Sequence, residues 1–271
     1  MARSARHRSH FFPQRADIHP PHVKQQALAL IAAGVNDCEV SRRLGISRTT
    51  IRDWRRPTYV SRRRFATETC PRCWRPAKPI RFTDDDYAEL LAMYLGDGCI
   101  SELPRTARLR IALDVRYPEI LEQTRALLER CFPHNPVDVV RGGRGTWVNV
   151  SVYCSHLPCL FPQHAAGKKH ARVLQLEDWQ ATLVTASPWA FVRGCIRTDG
   201  CVFTNRTGPY EYLSYHFANR SGDIVGLLAD ACERVGVHAR INFNAKRRLW
   251  DVRINRRESV QLMLRHVGKK A

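Results

Sequence analysis

Two apolar stretches frame the chain. "LLAMYLGDGCI" (residues 90–100) runs apolar at helical length and stops on Gly96-Asp97-Gly98, and "FVRGCIRTDGCVF" (191–203) repeats the arrangement around Asp199. Each is followed by the same succession of periodicities. In the first half, alternation over 99–103 and 107–115 predicts two strands, helical spacing predicts a helix over 117–132, and alternation returns as a strand pair within 137–153. In the second half, strands over 201–205 and 212–220, a helix over 221–236, and strands in "ARINFN" and "LWDVRIN" follow in that order. "LDVRYPEI" even aligns with "FANRSGDI". Two long units predict a pseudo-dimeric α+β domain, since a solenoid needs more repeats.

The first part of the chain has a different rhythm. Residues 1–20 are basic and aperiodic and read as a disordered tail. "VKQQALALIAAG" then places Val23, Ala27, Leu30 and Ile31 on one helical face and closes at Gly34. The next stretch predicts a helix, a turn on Gly45 and a second helix capped by Ser47, which makes 21–58 a small all-α helix-turn-helix domain. Val40, Leu44, Ile46, Ile51 and Trp54 fall on its inner faces. Arg48, Thr49, Thr50, Arg52, Arg55 and Arg56 fall outward, and these residue types reach phosphates, guanine edges and thymine methyls. Residues 59–83 form a basic linker containing "CPRCWRP", in which Cys70 and Cys73 are spaced to ligate one Zn²⁺. A tetrahedral site needs two more ligands. The other dense Cys/His neighbourhood comprises Cys154, His156, Cys159, His164 and His170.

Charge sharpens this picture. The 271 residues hold 44 Lys and Arg against 25 Asp and Glu, a formal charge of +19, which favours a polyanionic partner such as double-stranded DNA. No apolar run approaches the roughly 18 residues of a spanning helix, and "MARSARHRSHFFPQ" lacks the apolar core of a signal peptide, so a membrane is not expected and a cytoplasmic location is. Ten cysteines spread over this length fit reduced thiols.

The two apolar helices also carry the candidate chemistry. Ala92 and Gly96 in the first, and Gly194 and Thr198 in the second, lie four apart, a spacing that lets two helix backbones approach closely. Asp97 and Asp199 would then meet near a pseudo-twofold axis and bind divalent metal together with DNA phosphate oxygens. Without a cation they repel, and at least one carboxyl should titrate high. On the strands, Arg108, Arg110, Arg141, Arg144, Arg240, Lys246, Arg247, Arg248 and Arg253 are candidates to face DNA. Leu109, Ile111, Ile241, Phe243, Val252 and Ile254 would turn to the helices.

The two helices resemble the signature helices of the LAGLIDADG (dodecapeptide) homing-endonuclease family in its single-chain, two-motif form, over roughly residues 84–267. "HLPCLFPQHAAGKKH" resembles the inter-repeat segment of actinobacterial LAGLIDADG-like proteins. The resemblance implies a duplicated αββαββα fold, with repeat 1 over 84–154, an inter-repeat segment over 155–186 and repeat 2 over 187–271. It also implies a strand saddle in the DNA major groove, and catalytic Mg²⁺ held by Asp97 and Asp199. Lys168, Lys169 and Lys246 are candidates to stabilise developing negative charge. The chain departs from the motif at Met93 and Tyr94 and at Arg193, Arg197 and Thr198, and the two arginines are expected to face outward. The implied function is site-specific, metal-dependent cleavage of double-stranded DNA by a monomer with internal symmetry. The alternative is a transcriptional regulator that uses the same saddle without cutting, as in a bacterial sporulation regulator that joins a helix-turn-helix to a LAGLIDADG-like domain.

Overall fold

The structure, a computed structural model, describes residues 19–55, 68–70, 72–73, 76–143 and 145–270. Most of the expected N-terminal tail, together with Arg56 and Arg144, lies outside these residues. The chain divides into two compact units between residues 64 and 65.

The first unit contains α1 (Pro21–Ala32), α2 (Asp37–Leu44) and α3 (Arg48–Arg55). Asn36 caps α2 by accepting the Glu39 N–H at 3.0 Å, and Gly45 ends it at φ 64°, a left-handed conformation that glycine adopts without a Cβ penalty. Ser47 then accepts the Thr50 N–H at 3.2 Å, restarting the helix after a short turn. Ala27, Val40, Ile46 and Ile51 form the buried centre, with Val23, Leu30, Ile31, Leu44 and Trp54 packed around them.

The second unit opens with a short antiparallel pair, β1 (Glu68–Thr69) and β2 (Pro76–Ala77). Next come α4 (Asp84–Asp97), β3 (Gly98–Leu103), β4 (Thr106–Asp114), α5 (Pro118–Cys131), β5 (Val137–Arg141), β6 (Trp147–Tyr153) and the single turn α6 (Leu157–Leu160). An additional helix, α7 (Asp178–Ala186), was not anticipated in the sequence. After it the series recurs as α8 (Pro188–Asp199), β7 (Gly200–Thr207), β8 (Tyr210–Asn219), α9 (Gly222–Arg234), β9 (Arg240–Asn244), β10 (Leu249–Ile254) and α10 (Arg257–His266). The two four-stranded antiparallel sheets have equivalent orders, β3-β4-β6-β5 and β7-β8-β10-β9. This duplicated topology is the α+β arrangement expected from the repeat.

Helix α4 starts on a capping box in which Thr83 accepts the Asp86 N–H at 3.1 Å and the Asp86 carboxylate accepts the Thr83 N–H at 3.2 Å. It is buried without interruption from Tyr87 to Leu95, because neighbours cover it on every side. Its main partner is α8. A Cβ on Gly194 would lie 2.5 Å from the Glu89 carbonyl oxygen and 2.7 Å from the Ala92 Cβ, and one on Gly96 would lie 2.3 Å from the Thr198 Oγ1. The four small residues are therefore where the two helices touch. Gly98 and Gly200 serve another need. A Cβ at either would strike the backbone of its own helix, at Tyr94 Cα (2.4 Å) or Ile196 Cα (2.6 Å), as the chain turns directly from helix into strand.

Two expectations are corrected. Arg193 and Arg197 do not face outward: Arg193 Nε donates to Glu89 Oε2 at 2.8 Å, and Arg197 donates to Glu89 Oε1. Glu89 is only 6% exposed, so α8 must bring its cations inward to neutralise it. Ile241 and Phe243 pair with Val252 and Trp250 and so share the helix-facing side, but they are 42% and 47% exposed instead of buried, because β9 is an edge strand with a single neighbour. Leu109, Ile111, Val252 and Ile254 are buried as expected.

Gly194→Ala should lose about 1–3 kcal/mol in urea denaturation, since the added methyl meets backbone that cannot yield. Gly226→Ala in α9, with nothing within 4 Å of the new Cβ, should be neutral or gain up to about 1 kcal/mol. Equal effects at both positions would contradict the close approach.

Candidate active site and nucleic-acid interface

The close approach of α4 and α8 places Asp97 and Asp199 at adjoining helix ends. Burial holds the Asp97 carboxyl up to about 6, with the neighbouring Asp199 charge adding to the effect, while Lys270 and Lys169 act against it. Asp199 is also raised by burial; against this work the Asn219 side chain, which donates to Asp199 Oδ2 at 2.8 Å, and the same two lysines.

Those lysines complete the symmetry. Lys169 Nζ donates to the carbonyls of Tyr94, Gly96 and Gly98, the last two at 2.9 Å, and so closes the C-terminal end of α4. Lys270 Nζ donates to the carbonyls of Thr198 (2.6 Å) and Gly200 (3.0 Å) at the end of α8. Both cations sit where the last carbonyls of a helix need donors and where its dipole favours positive charge. Burial pushes the Lys169 ammonium down to about 8 and lowers Lys270 as well, and in both the two aspartates oppose the shift. The arrangement is crossed. Lys169 closes α4 but lines a cleft with Asp199 and Asn219, whereas Lys270 closes α8 and lines a cleft with Asp97, Arg197 and Thr198.

Of the lysines read as candidates, the structure brings Lys169 to the carboxylates; Lys168 and Lys246 are exposed. Lys270 was missed, although a signal for it existed. Gly167-Lys168-Lys169 and Gly268-Lys269-Lys270 are the same tripeptide at equivalent places in the two halves, and both glycines have positive φ, at 84° and 80°. The α6 turn and the segment through Lys169 thus correspond to α10 and the segment through Lys270.

The basic candidates divide by position. Cys99, Arg110, Ser151 and Asp138 are paired in one row across the first sheet, and Cys201, His216, Arg253 and Arg240 in the equivalent row of the second. These rows lie on the faces opposite the buried apolar strand residues, although Ser151 within the first row is itself buried. Arg110 donates to the Ser101 hydroxyl at 2.9 Å and Arg108 to the Ser151 hydroxyl at 3.0 Å, so both guanidiniums are held along the sheet. His216 Nε2 lies 2.7 Å from Asp251 Oδ1. Arg141, Arg240, Arg247, Arg248 and Arg253 are exposed, with Lys246, Arg247 and Arg248 in the β9–β10 turn. In the separate first unit, Arg48, Thr49, Arg52 and Arg55 are exposed on α3. Arg55 lies 3.4 Å from Asp37, and the Thr50 hydroxyl is engaged with Ser47 at 2.8 Å.

Residues 23–56 match the homeodomain-like domain family, and residues 187–268, within the second repeat, match the LAGLIDADG-like domain family. The second repeat thus matches a LAGLIDADG-like domain, and the N-terminal unit matches a homeodomain-like helix-turn-helix. Among solved structures it is similar to the N-terminal LAGLIDADG domain of DUF199/WhiA, with 14% identity over 70% of this chain and 86% of that one and a TM-score of 0.44. It is also similar to the homing endonuclease I-DmoI in complex with DNA and Mn, with 13% identity over 69% and 98% of the two chains and a TM-score of 0.48. Full-length DUF199/WhiA from Thermatoga maritima is similar at 12% identity, over 70% of this chain and 57% of that one, with a TM-score of 0.45. No curated protein matches the chain. Among the described residues no helix is long and apolar enough to cross a membrane.

A carboxyl that binds its proton more tightly in the folded state destabilises the fold when charged. For Asp97 that cost is fully present above pH about 6 and disappears as the pH falls from there through the ordinary 3.8. In metal-free buffer, Asp97→Asn should therefore melt higher than the wild type near neutral pH, and the gap should close by pH about 4. A constant difference across this range in paired thermal melts would contradict the raised carboxyl.

Proposed function

We propose that the chain binds double-stranded DNA site-specifically and hydrolyses its phosphodiester bonds with Mg²⁺ held by Asp97 and Asp199. The observation that carries this reading is the pairing of two partly buried carboxylates, one from each half, with a lysine ammonium beside each. The donor set fits a hard divalent cation: both groups offer anionic oxygens, and both are held in a charge state that a cation would relieve. When bound, Mg²⁺ acidifies a water and neutralises charge on the leaving oxygen.

The chain's own residues then have distinct parts. Lys169 spends its three donors on carbonyls and acts as a fixed positive charge that orients the end of α4. Lys270 makes two such bonds, which leaves one N–H to meet a phosphate oxygen on the Asp97 side. Asn219 orients Asp199. The open faces of the sheets, with Arg108, Arg110, Arg240 and Arg253, track the DNA, and the β9–β10 turn adds Lys246, Arg247 and Arg248. Arg48, Thr49 and Arg52 of α3 read a second stretch of major groove. Because both halves reside in one chain, a monomer suffices for a near-symmetric site, and a DNA partner is consistent with a cytoplasmic location. A second reading, a transcriptional regulator that binds through the same surfaces without cutting, is favoured by the homeodomain-like segment, which supplies recognition beyond what a nuclease site needs.

Incubation with Mg²⁺ and a randomised DNA library should yield cut products at a defined sequence. Asp97→Asn and Asp199→Asn should each reduce cutting by at least about 100-fold while retaining binding. Tight, specific binding by wild type with no cutting in Mg²⁺ or Mn²⁺ would favour the regulator. Arg48→Ala and Arg52→Ala should each weaken binding and lower the salt slope by about 1 if the side chain meets a phosphate. An unchanged slope and affinity would remove α3 from the interface.

A further inference from the structure

Away from the carboxylates, a second cluster forms where the entry to α4 meets the exit from β6. Cys70 and Cys73 lie in the connection between β1 and β2, and His156 and Cys159 lie at the start of α6 and within it. The three sulfurs and a ring nitrogen of His156 all lie within 4.8 Å of one another, and Cys73 Sγ is 3.3 Å from His156 Nδ1. Tetrahedral zinc, with Zn–S near 2.3 Å, places ligand sulfurs about 3.8 Å apart, so four ligand atoms at this separation can surround one ion with small side-chain adjustments. Among the described residues this is the one group of three or more His, Cys, Asp or Glu side chains so disposed. Of the other sequence candidates, Cys154 instead accepts the His156 N–H at 3.5 Å, His164 pairs with Glu102 at 3.3 Å, and His170 is exposed outside the cluster.

We infer that Cys70, Cys73, His156 and Cys159 form a structural Cys₃His zinc site. A disulfide would use two of the thiols and leave the third and the imidazole crowded against it, whereas zinc uses all four. The local fold calls for such a staple. β1 and β2 have two residues each, too few to hold a hairpin together in water. Arg72 stacks over the Trp179 ring at 3.9 Å, seating the turn on α7. With four protein ligands the site is closed, so its role is to fix structure. It ties the chain that leads into α4 to the chain that leads from β6 through α6 to Lys169. Zinc thereby anchors both approaches to one side of the carboxylate site, whether or not that site cuts DNA.

The test is metal analysis of the purified full-length chain, paired with cobalt substitution in the reduced, chelator-stripped protein. The expected result is one zinc per chain, and with Co²⁺ the absorption of a tetrahedral ion with thiolate-to-metal charge transfer. Both signals should be lost in Cys73→Ser and Cys159→Ser and kept in Cys154→Ser, whose thiol is buried nearby but outside the ligand set. If those variants fold poorly, stripping the wild type should lower its melting temperature and restoring Zn²⁺ should raise it again. The proposal is overturned by wild-type protein that carries no zinc and gives no tetrahedral cobalt spectrum, or by a spectrum that persists in both serine variants.

Discussion

The structure depends on how closely α4 and α8 approach. Helix axes can come this near only where side chains are nearly absent, and the contact is made by Gly96 against Thr198 and Gly194 against Ala92. A bulkier residue at any of these points would separate the two halves and, with them, the two aspartates. The approach also has an electrostatic condition. Glu89 is buried on α4 beside the contact, and Arg193 and Arg197 from α8 meet it. A buried carboxylate with two guanidinium partners adds little net stability but is costly to break, so it fixes which faces of the helices meet.

The same geometry explains why the helix ends are charged as they are. Two carboxylates brought together in a partly buried place would repel, and two helix C-termini add partial negative charge of their own. Lys169 and Lys270 answer both, binding the terminal carbonyls while their charges face the aspartates. Asp97 nevertheless stays raised, first by its burial and then by the neighbouring Asp199 charge.

Much of the fold was legible in the sequence because its signals are local and repeated. Strand alternation, helix periodicity and the Asp-Gly helix ends occur twice in the same order, and the structure follows them closely. Small residues four apart announced the helix contact. Other features depended on the far side of a contact. Arg193 and Arg197 read as solvated charges because their partner, Glu89, is about a hundred residues away and sits inside an otherwise apolar helix. Ile241 and Phe243 alternate like core residues, but their strand lies at a sheet edge, a fact set by topology rather than composition. Lys270 was legible in principle through the repeated Gly-Lys-Lys, and Cys70 and Cys73 marked half a cluster whose other half only the fold could select from five candidates.

The most direct test of the shared site is a ¹³C NMR titration of the Asp97 carboxyl in metal-free protein, repeated in Asp199→Asn. The expected midpoint is near 6 in the wild type, shifting downward when the neighbouring charge is removed. An ordinary carboxylate midpoint, unchanged by the substitution, would show that the two aspartates do not form one site.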